Sequence, residues 1–294
     1  MASISVIVTT YERVSALMLC LTALAAQEPL PLDVIVVEDG GNMMLFPVVF
    51  DQLSRGDRTK DLAQRISYIW HPHDGFGLAK CRNQGAMLAR GAGLVFLDCD
   101  IMLRPGALAA YAEMLDKNPN RAIGGYYKYL PPMNILTEDV WMRWEDIWEM
   151  RLPHGEMEQA YLPVGQDVRE AVGQSFYFED ENKTYPVPFS LLGGNLCIPR
   201  EIFEQTNGWN EEFRIYGGED AEMSLQIADL GYEFSYSKRA GGAHIAHKRH
   251  QEAVSGTLSA IDYLKQHYPW WFKDGKSIWT FPDWQSELKR RRGW

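Results

Sequence analysis

The stretch Gly93-Leu94-Val95-Phe96-Leu97-Asp98-Cys99-Asp100-Ile101-Met102 limits the fold of this chain more than any other. Leu94 to Leu97 is a short apolar run, the length and composition of a central strand buried on both faces. Such strands belong to parallel sheets covered by helices, and open α/β sheets bind their ligands at the carboxyl ends of the strands. Two carboxylates stand at that end here. Residues two apart on an extended chain point the same way, so the spacing predicts that Asp98 and Asp100 share one cation. Acidic oxygen ligands suit Mg²⁺ or Mn²⁺, and a cation so held can carry a diphosphate on its far side. A bare D-x-D also fits an acidic turn after a strand, so the rest of the chain must decide.

Upstream, Ile4-Ser5-Val6-Ile7-Val8-Thr9-Thr10 reads as a β-branched strand. Ser15 opens a helix whose apolar positions Leu17, Leu19, Leu21 and Leu24 run through to Ala26. Leu32 to Val37 is the next strand and ends in Glu38-Asp39-Gly40-Gly41. Strand, helix and strand at this spacing form a βαβ unit with parallel strands and a right-handed crossover. A short surface helix is expected within 51–65, a strand over Ile66–Trp70, and a helix from about Leu78 to Arg90. Another helix follows Pro105, over Leu108 to Leu115. His71 and His73, before the Asp74-Gly75 turn, read as loop residues.

The composition shifts over residues 131–190, where Trp141, Trp144 and Trp148 recur at helical spacing, either as a core face or as an aromatic wall facing substrate. Phe189 to Ile198 reads as a strand bent by Gly193 and Gly194. A short helix follows over Arg200–Gln205, then a helix over Ala221–Leu230 that Gly217-Gly218-Glu219-Asp220 opens and Gly231 ends. Glu233 to Ser237 is the last strand expected before a loop carrying His244, His247 and His250. Five more tryptophans and Lys289-Arg290-Arg291-Arg292 fill the tail from Tyr268 to Trp294.

Bulk properties narrow the function. A 294-residue chain with 46% hydrophobic and 23% charged residues has material for a substantial core. A net charge of −10 argues against a nucleic-acid partner, which requires a basic face. Cys20, Cys81, Cys99 and Cys197 are scattered without a C-x-x-C pair, as free thiols in a reducing compartment would be. The chain opens directly into an apolar strand without a signal-peptide pattern. The expectation is a cytoplasmic protein. Its aromatic, basic tail suits either a peripheral contact with the inner face of the membrane or a lid.

The acidic features fall at or near strand ends and helix starts, as a nucleotide-sugar site would place them. They are Thr10-Tyr11-Glu12, Glu38-Asp39-Gly40 and Asp98-Cys99-Asp100, and they stand in order with Val8 to Arg13, Val36 to Gly40, Gly77-Leu78-Ala79-Lys80-Cys81-Arg82-Asn83 and Gly217-Gly218-Glu219-Asp220. With these residues the chain resembles the family 2 glycosyltransferases of the GT-A fold from Ile4 to about His247. The stretch from Gly208-Trp209 to Asp220 resembles the galactosyl- and N-acetylgalactosaminyltransferase branch. The resemblance implies an α/β, Rossmann-like fold with a mixed, mainly parallel sheet flanked by helices. It implies a GT-A domain over 1–255, with a nucleotide-binding half of about 1–125 and an acceptor-binding half of about 126–255. A Trp-rich basic extension would occupy 256–294.

Residue by residue, the resemblance places Thr9, Tyr11 and Glu12 around the base and ribose, and Arg82 near the nucleotide. Asp39 would accept a hydrogen bond from the uracil imide. Asp98 would contact ribose and metal, with Asp100 the main ligand of Mn²⁺ or Mg²⁺. His244 would be a further ligand, or His247 in its stead. Gly193 and Gly194 would lie beside the donor sugar, where glycine allows close backbone approach. Trp209 and Tyr216 would offer aromatic platforms to the acceptor, a glycan, a lipid-linked sugar or a peptide. Asp220 would be the catalytic base, with Glu219 gripping hydroxyls. The chemistry agrees: a divalent metal stabilises charge on a departing diphosphate, and a carboxylate takes the acceptor's proton. At a helix start, the dipole favours that carboxylate's charge. The Glu-Asp order is the version of inverting members, so an α-linked UDP-sugar would yield a β-glycoside. GDP-mannose is the alternative donor, and a non-catalytic sugar- or nucleotide-binding module the alternative class. A sugar nucleotidyltransferase would lead with a glycine-rich loop after the first strand, and Thr9 to Arg13 contains no glycine.

Overall fold

The structure, a computed structural model, describes residues 1–42, 45–130, 140, 144, 180–185, 192–214, 217–245, 253–273 and 276–277. Its first half alternates strand and helix: β1 (Ile4–Thr10), α1 (Val14–Ala25), β2 (Asp33–Asp39), α2 (Leu45–Arg55), α3 (Lys60–Ala63), β3 (Ile66–His71), α4 (Leu78–Leu88) and β4 (Gly93–Asp98). β5 (Ile101–Leu103), α5 (Ala107–Lys117) and β6 (Arg121–Leu130) follow. After the gap come β7 (Asn195–Pro199), α6 (Arg200–Gln205), α7 (Glu219–Asp229), β8 (Glu233–Ile245) and α8 (Ala253–His267). A two-stranded ribbon of β9 (Phe272–Lys273) and β10 (Lys276–Ser277) lies beyond them.

The main sheet has eight strands in the order β3-β2-β1-β4-β7-β6-β8-β5. β3, β2, β1 and β4 are mutually parallel, and β6 pairs with β8 in parallel; β7 and β5 run against their neighbours. The expected mixed, mainly parallel sheet is present. Alternation sorts its side chains into two cores. Val6, Val8, Val34, Val36, Val95 and Leu97 pack on one face with Leu17, Leu21 and Leu24 of α1. Ile7, Ile35, Val37, Leu94 and Phe96 pack on the other with Ala79 and Ala86 of α4 and Met223 and Ile227 of α7. Each fully buried aliphatic side chain is worth roughly 1.5–3 kcal/mol. The sheet is therefore a rigid base for the groups at its strand ends.

Three elements differ from the sequence reading. β6 is a fully buried ten-residue strand in a stretch without a strand expectation. Its Gly124-Gly125 pair and lack of alternation hide it from a period-based reading. β8 continues to Ile245 rather than stopping near Ser237, because its second half pairs with both β6 and β5. His244 thus lies in a strand and not in a loop. The bent strand expected over 189–198 is β7 alone within the described residues, with Gly193 and Gly194 in a turn before it.

The division expected at residue 255 falls inside α8. Leu264 and Trp271 are buried in the core that contains Met223 and Ile227 of α7. Trp144 is buried with Leu19, Met102 and Leu130, which supports a core role for that position. Trp141, Trp148, Trp279, Trp284, Trp294 and the basic run near 290 lie outside the described residues. Among those described, no helix is long and apolar enough to cross a membrane.

Candidate active site

The carboxyl ends of β1, β2 and β4 meet on one edge of the sheet. Thr9 and Asp98 are direct neighbours in the β1–β4 register, and the Thr9 hydroxyl donates to Asp98 Oδ1 at 3.3 Å. Asp39, the last residue of β2, accepts the Gly77 N–H at 2.9 Å. That bond sets a carboxylate at the start of α4, where the helix dipole favours negative charge. Gly77 allows the approach, since a Cβ there would lie 2.6 Å from Asp39 Oδ1. Tyr11, exposed beyond β1, stacks on His73 with ring centroids 4.7 Å apart. Glu12 is held at φ 52°, a left-handed conformation costly for a residue with a side chain. His71 and His73 both turn toward Asp39, at 3.6 and 3.2 Å. The reading as loop residues holds for His73, which lies beyond β3, and is corrected for His71, which closes β3 in register with Asp39.

One arginine joins this edge to α7. Arg82 of α4 is 1% exposed; its Nη1 donates to Asp220 Oδ1 at 2.8 Å and its Nη2 to Asp98 Oδ1 at 3.4 Å. A buried guanidinium is tolerable only with such partners. Its flat face lies 4.3 Å from the Trp209 ring centroid, a cation–π contact. The adjacent Asn83 fixes that tryptophan: its amide donates to the Trp209 carbonyl and accepts the Trp209 N–H, each at 2.8 Å. Trp209 is 1% exposed, with its ring edge-on to Phe96. The expectation that it offers a platform to sugar is thereby corrected, because its ring is spent on Arg82 and the core. Tyr216 lies outside the described residues.

The Gly193-Gly194 turn packs over this bridge. A Cβ on Gly193 would come within 2.4 Å of Asp220 Oδ1 and 2.5 Å of Arg82 Nη1, and one on Gly194 within 2.6 Å of Asp98 Oδ2. The turn is anchored by Asn195, which accepts the Tyr111 hydroxyl at 2.8 Å and donates to the Ala240 and Tyr126 carbonyls. A side chain at either position would collide with these carboxylates or with Arg82.

Asp98 closes β4 and Asp100 lies in the turn after it. β4 ends at Asp98 and the chain turns through Cys99-Asp100, so the alternation of an extended chain no longer applies. Asp98 faces Thr9 and Arg82, whereas Asp100 lies 3.5 Å from Arg13 Nη1 and 3.4 Å from His244 Nε2. The β5–β8 ladder delivers that histidine, with the Ile245 N–H donating to the Asp100 carbonyl at 3.1 Å. His247 lies outside the described residues. Carboxylate oxygens with an imidazole nitrogen at the mouth of a sheet fit Mn²⁺ or Mg²⁺ in their chemistry. Asp39, His71 and Cys81 also gather within 4.8 Å of one another. Burial pushes the Cys81 thiol up to about 12, so it stays protonated as the hydrogen-bond partner of His71 Nε2 at 3.2 Å. Within that group, His71 joins Cys81 to Asp39 through its two ring nitrogens. All four cysteines are free and buried.

Glu219 and Asp220 form the first turn of α7. Glu219 is 4% exposed, and burial, reinforced by the Asp220 charge, raises it well above the ordinary carboxylate range; Arg82 opposes this more weakly. An acid raised by folding contributes stability that is full below its unfolded value and lost as pH rises through the folded one. Glu219→Gln should abolish that loss. Thermal melts of the two proteins are expected to diverge as pH rises from 4.5 to about 7 and to keep a constant offset above that, the variant more stable by about 1.4 kcal/mol for each pH unit separating the folded and unfolded values. Parallel melts at all pH values would contradict the assignment.

Sequence reading missed Arg13, Asn83 and His73. The Arg-Asn pair was a visible signal for Asn83; the other two had none beyond proximity to the acidic motifs.

A family model described as "Glycosyl transferase family 2" matches residues 5–165, and one described as "N-terminal domain of galactosyltransferase" matches 175–256. A hyaluronan synthase of Pasteurella multocida is 24% identical over 92% of this chain and 28% of its own length. A validoxylamine A glucosyltransferase of Streptomyces hygroscopicus subsp. limoneus is 28% identical over 90% of this chain and 57% of its own. The chain thus spans less than two thirds of either relative. Among solved structures, GalNAc-T7 with UDP, GalNAc and Mn²⁺ aligns over 100% of this chain and 54% of that one, with a TM-score of 0.63 at 16% identity. A mannosyltransferase of Pyrobaculum calidifontis in complex with GDP-Man and Mn²⁺ aligns over 98% and 69%, with a TM-score of 0.59 at 18% identity. These likenesses establish a GT-A fold.

Proposed function

The chain belongs to the glycosyltransferases of family 2, and from that membership we propose an inverting transfer of a hexose from a UDP-sugar to a hydroxyl of a glycan acceptor. The observation that carries this reading is the buried Arg82 fork between Asp98 and Asp220. It ties the strand end suited to a nucleotide to the helix start suited to a base, under a glycine turn that admits a close ligand. Tyr11 and Asp39 receive the base, and Thr9 and Asp98 the ribose. Asp100 and His244, with Asp98, would hold Mn²⁺ or Mg²⁺, which when bound would supply charge stabilisation for a departing diphosphate. Asp220 takes the acceptor's proton, and Glu219, its protonated form favoured by burial, donates a hydrogen bond to a sugar hydroxyl. Arg82 and Asn83 keep Asp220 and the Trp209 loop in register with the donor side.

A cytoplasmic location accords with four buried free thiols. The glycan acceptor is favoured because the relatives include hyaluronan and chondroitin synthases.

Calorimetric titration of UDP and GDP, with and without Mn²⁺, tests the reading on wild type and Asp100→Ala. UDP binding that needs Mn²⁺ and weakens at least about tenfold in the variant is the expected result. Preferential binding of GDP would move the donor to the mannose class. Absence of binding by either nucleotide would overturn the enzymatic reading in favour of a binding module.

A further inference from the structure

Asp39 and Tyr11 would receive the nucleotide base, yet both are engaged by one side chain. The His73 ring lies parallel to Tyr11, at 4.7 Å between centroids and 16° between planes. A third ring between them would need about twice the stacking distance. The same imidazole sets Nδ1 3.2 Å from Asp39 Oδ2. That oxygen already accepts the Gly77 N–H at 2.9 Å. The other, Oδ1, is shut from solvent on the side of His71, 3.6 Å from its Nδ1. Asp39 therefore presents an incoming base with no acceptor position that His73 leaves open. The seat is shaped to this arrangement: a Cβ on Gly40 would come 2.5 Å from the His73 Cβ. His73 itself is 41% exposed by side chain, so it can swing outward without opening the core.

We propose that His73 is an internal occupant of the base seat, a flat ring with an N–H that takes the place of a nucleobase and must leave for the nucleotide to bind. This rests on the reading of Tyr11 and Asp39 as the base site. A base that stacks on Tyr11 and donates an N–H to Asp39, as uracil does with its imide, restores both contacts that the imidazole gives up. His73 sets the threshold for nucleotide binding, because apparent affinity falls by the fraction of molecules whose seat is open. Ligands without a base do not meet that threshold.

The test is titration of UDP and of inorganic pyrophosphate, both with Mn²⁺, into wild type, His73→Ala and Asp39→Asn. His73→Ala is expected to bind UDP about three- to tenfold more tightly, the scale of one stacked, hydrogen-bonded ring, and to bind pyrophosphate as wild type does. In ¹⁵N-histidine spectra, the His73 ring signals should shift on UDP addition and stay in place with pyrophosphate. Unchanged or weaker UDP binding by His73→Ala, beside a loss in Asp39→Asn, would overturn the inference and leave the base site standing. Equal tightening toward UDP and pyrophosphate would also overturn it, since the effect would then lie outside the base seat. Wild-type UDP affinity in Asp39→Asn would overturn the base site and this inference together.

Discussion

Asp220→Asn should lower turnover by about 10²–10⁴-fold, the contribution of a positioned general base, and leave UDP affinity close to that of wild type. The amide is nearly isosteric with the carboxylate, and its oxygen can still accept from Arg82 Nη1, which now lies 2.8 Å from Asp220 Oδ1. The bridge to Asp98 and the seat of Gly193 over it are kept. What disappears is the capacity to take a proton from the acceptor hydroxyl. Steady-state transfer assays beside UDP titration separate the two effects. Turnover within threefold of wild type would remove Asp220 from the chemistry and shift attention to Glu219, also in the first turn of α7.

The second large effect is expected at Arg82. Arg82→Met leaves the carboxylates of Asp98 and Asp220 without the cation between them, and breaking a buried ion pair costs about 3–5 kcal/mol. It also strips the Trp209 ring of the guanidinium that lies 4.3 Å from its centroid. Chemical denaturation should report a loss of that order, together with the disappearance of sugar transfer. Arg82→Lys is the informative companion. It keeps the charge but replaces the planar fork with a single ammonium, which cannot serve two carboxylates in the same geometry. A folded Lys variant with turnover reduced at least about tenfold would identify the fork, rather than charge alone, as the feature that couples the halves. A stability loss below about 1 kcal/mol in the Met variant would contradict the bridge as drawn.

The two predictions bear on different kinds of legibility. The place of Asp220 was readable, as the first turn of a helix after two glycines, whereas its role as base came from the family resemblance. Arg82 was readable as a residue near the nucleotide, but its partners were not. Asp220 lies 138 positions away along the chain, and no local pattern encodes a contact at that separation. Trp209 was misassigned for the same reason. An aromatic in a polar loop looks exposed in sequence, and only the Asn83 amide, 126 positions away, draws it into the core. The D-x-D is a third case, in which the inference from strand spacing does not reach the second carboxylate. Alternation holds along an extended strand, and β4 stops at the first of its two carboxylates.

By itself the sequence determined the parallel half of the sheet. The runs in β1, β2 and β4 are apolar on both faces, and such strands are stable only between helices. It also determined that acids cluster at one edge, because strand ends are punctuated by the residues that follow them. Tertiary structure alone decided the pairing of those acids: Asp98 and Asp220 with one arginine, Asp100 with Arg13 and His244, Asp39 with two histidines and the start of α4. Each pairing joins residues from different elements. Their approach follows from how whole helices and strands pack, where burying apolar surface sets the position and charges take the partners that packing brings within reach.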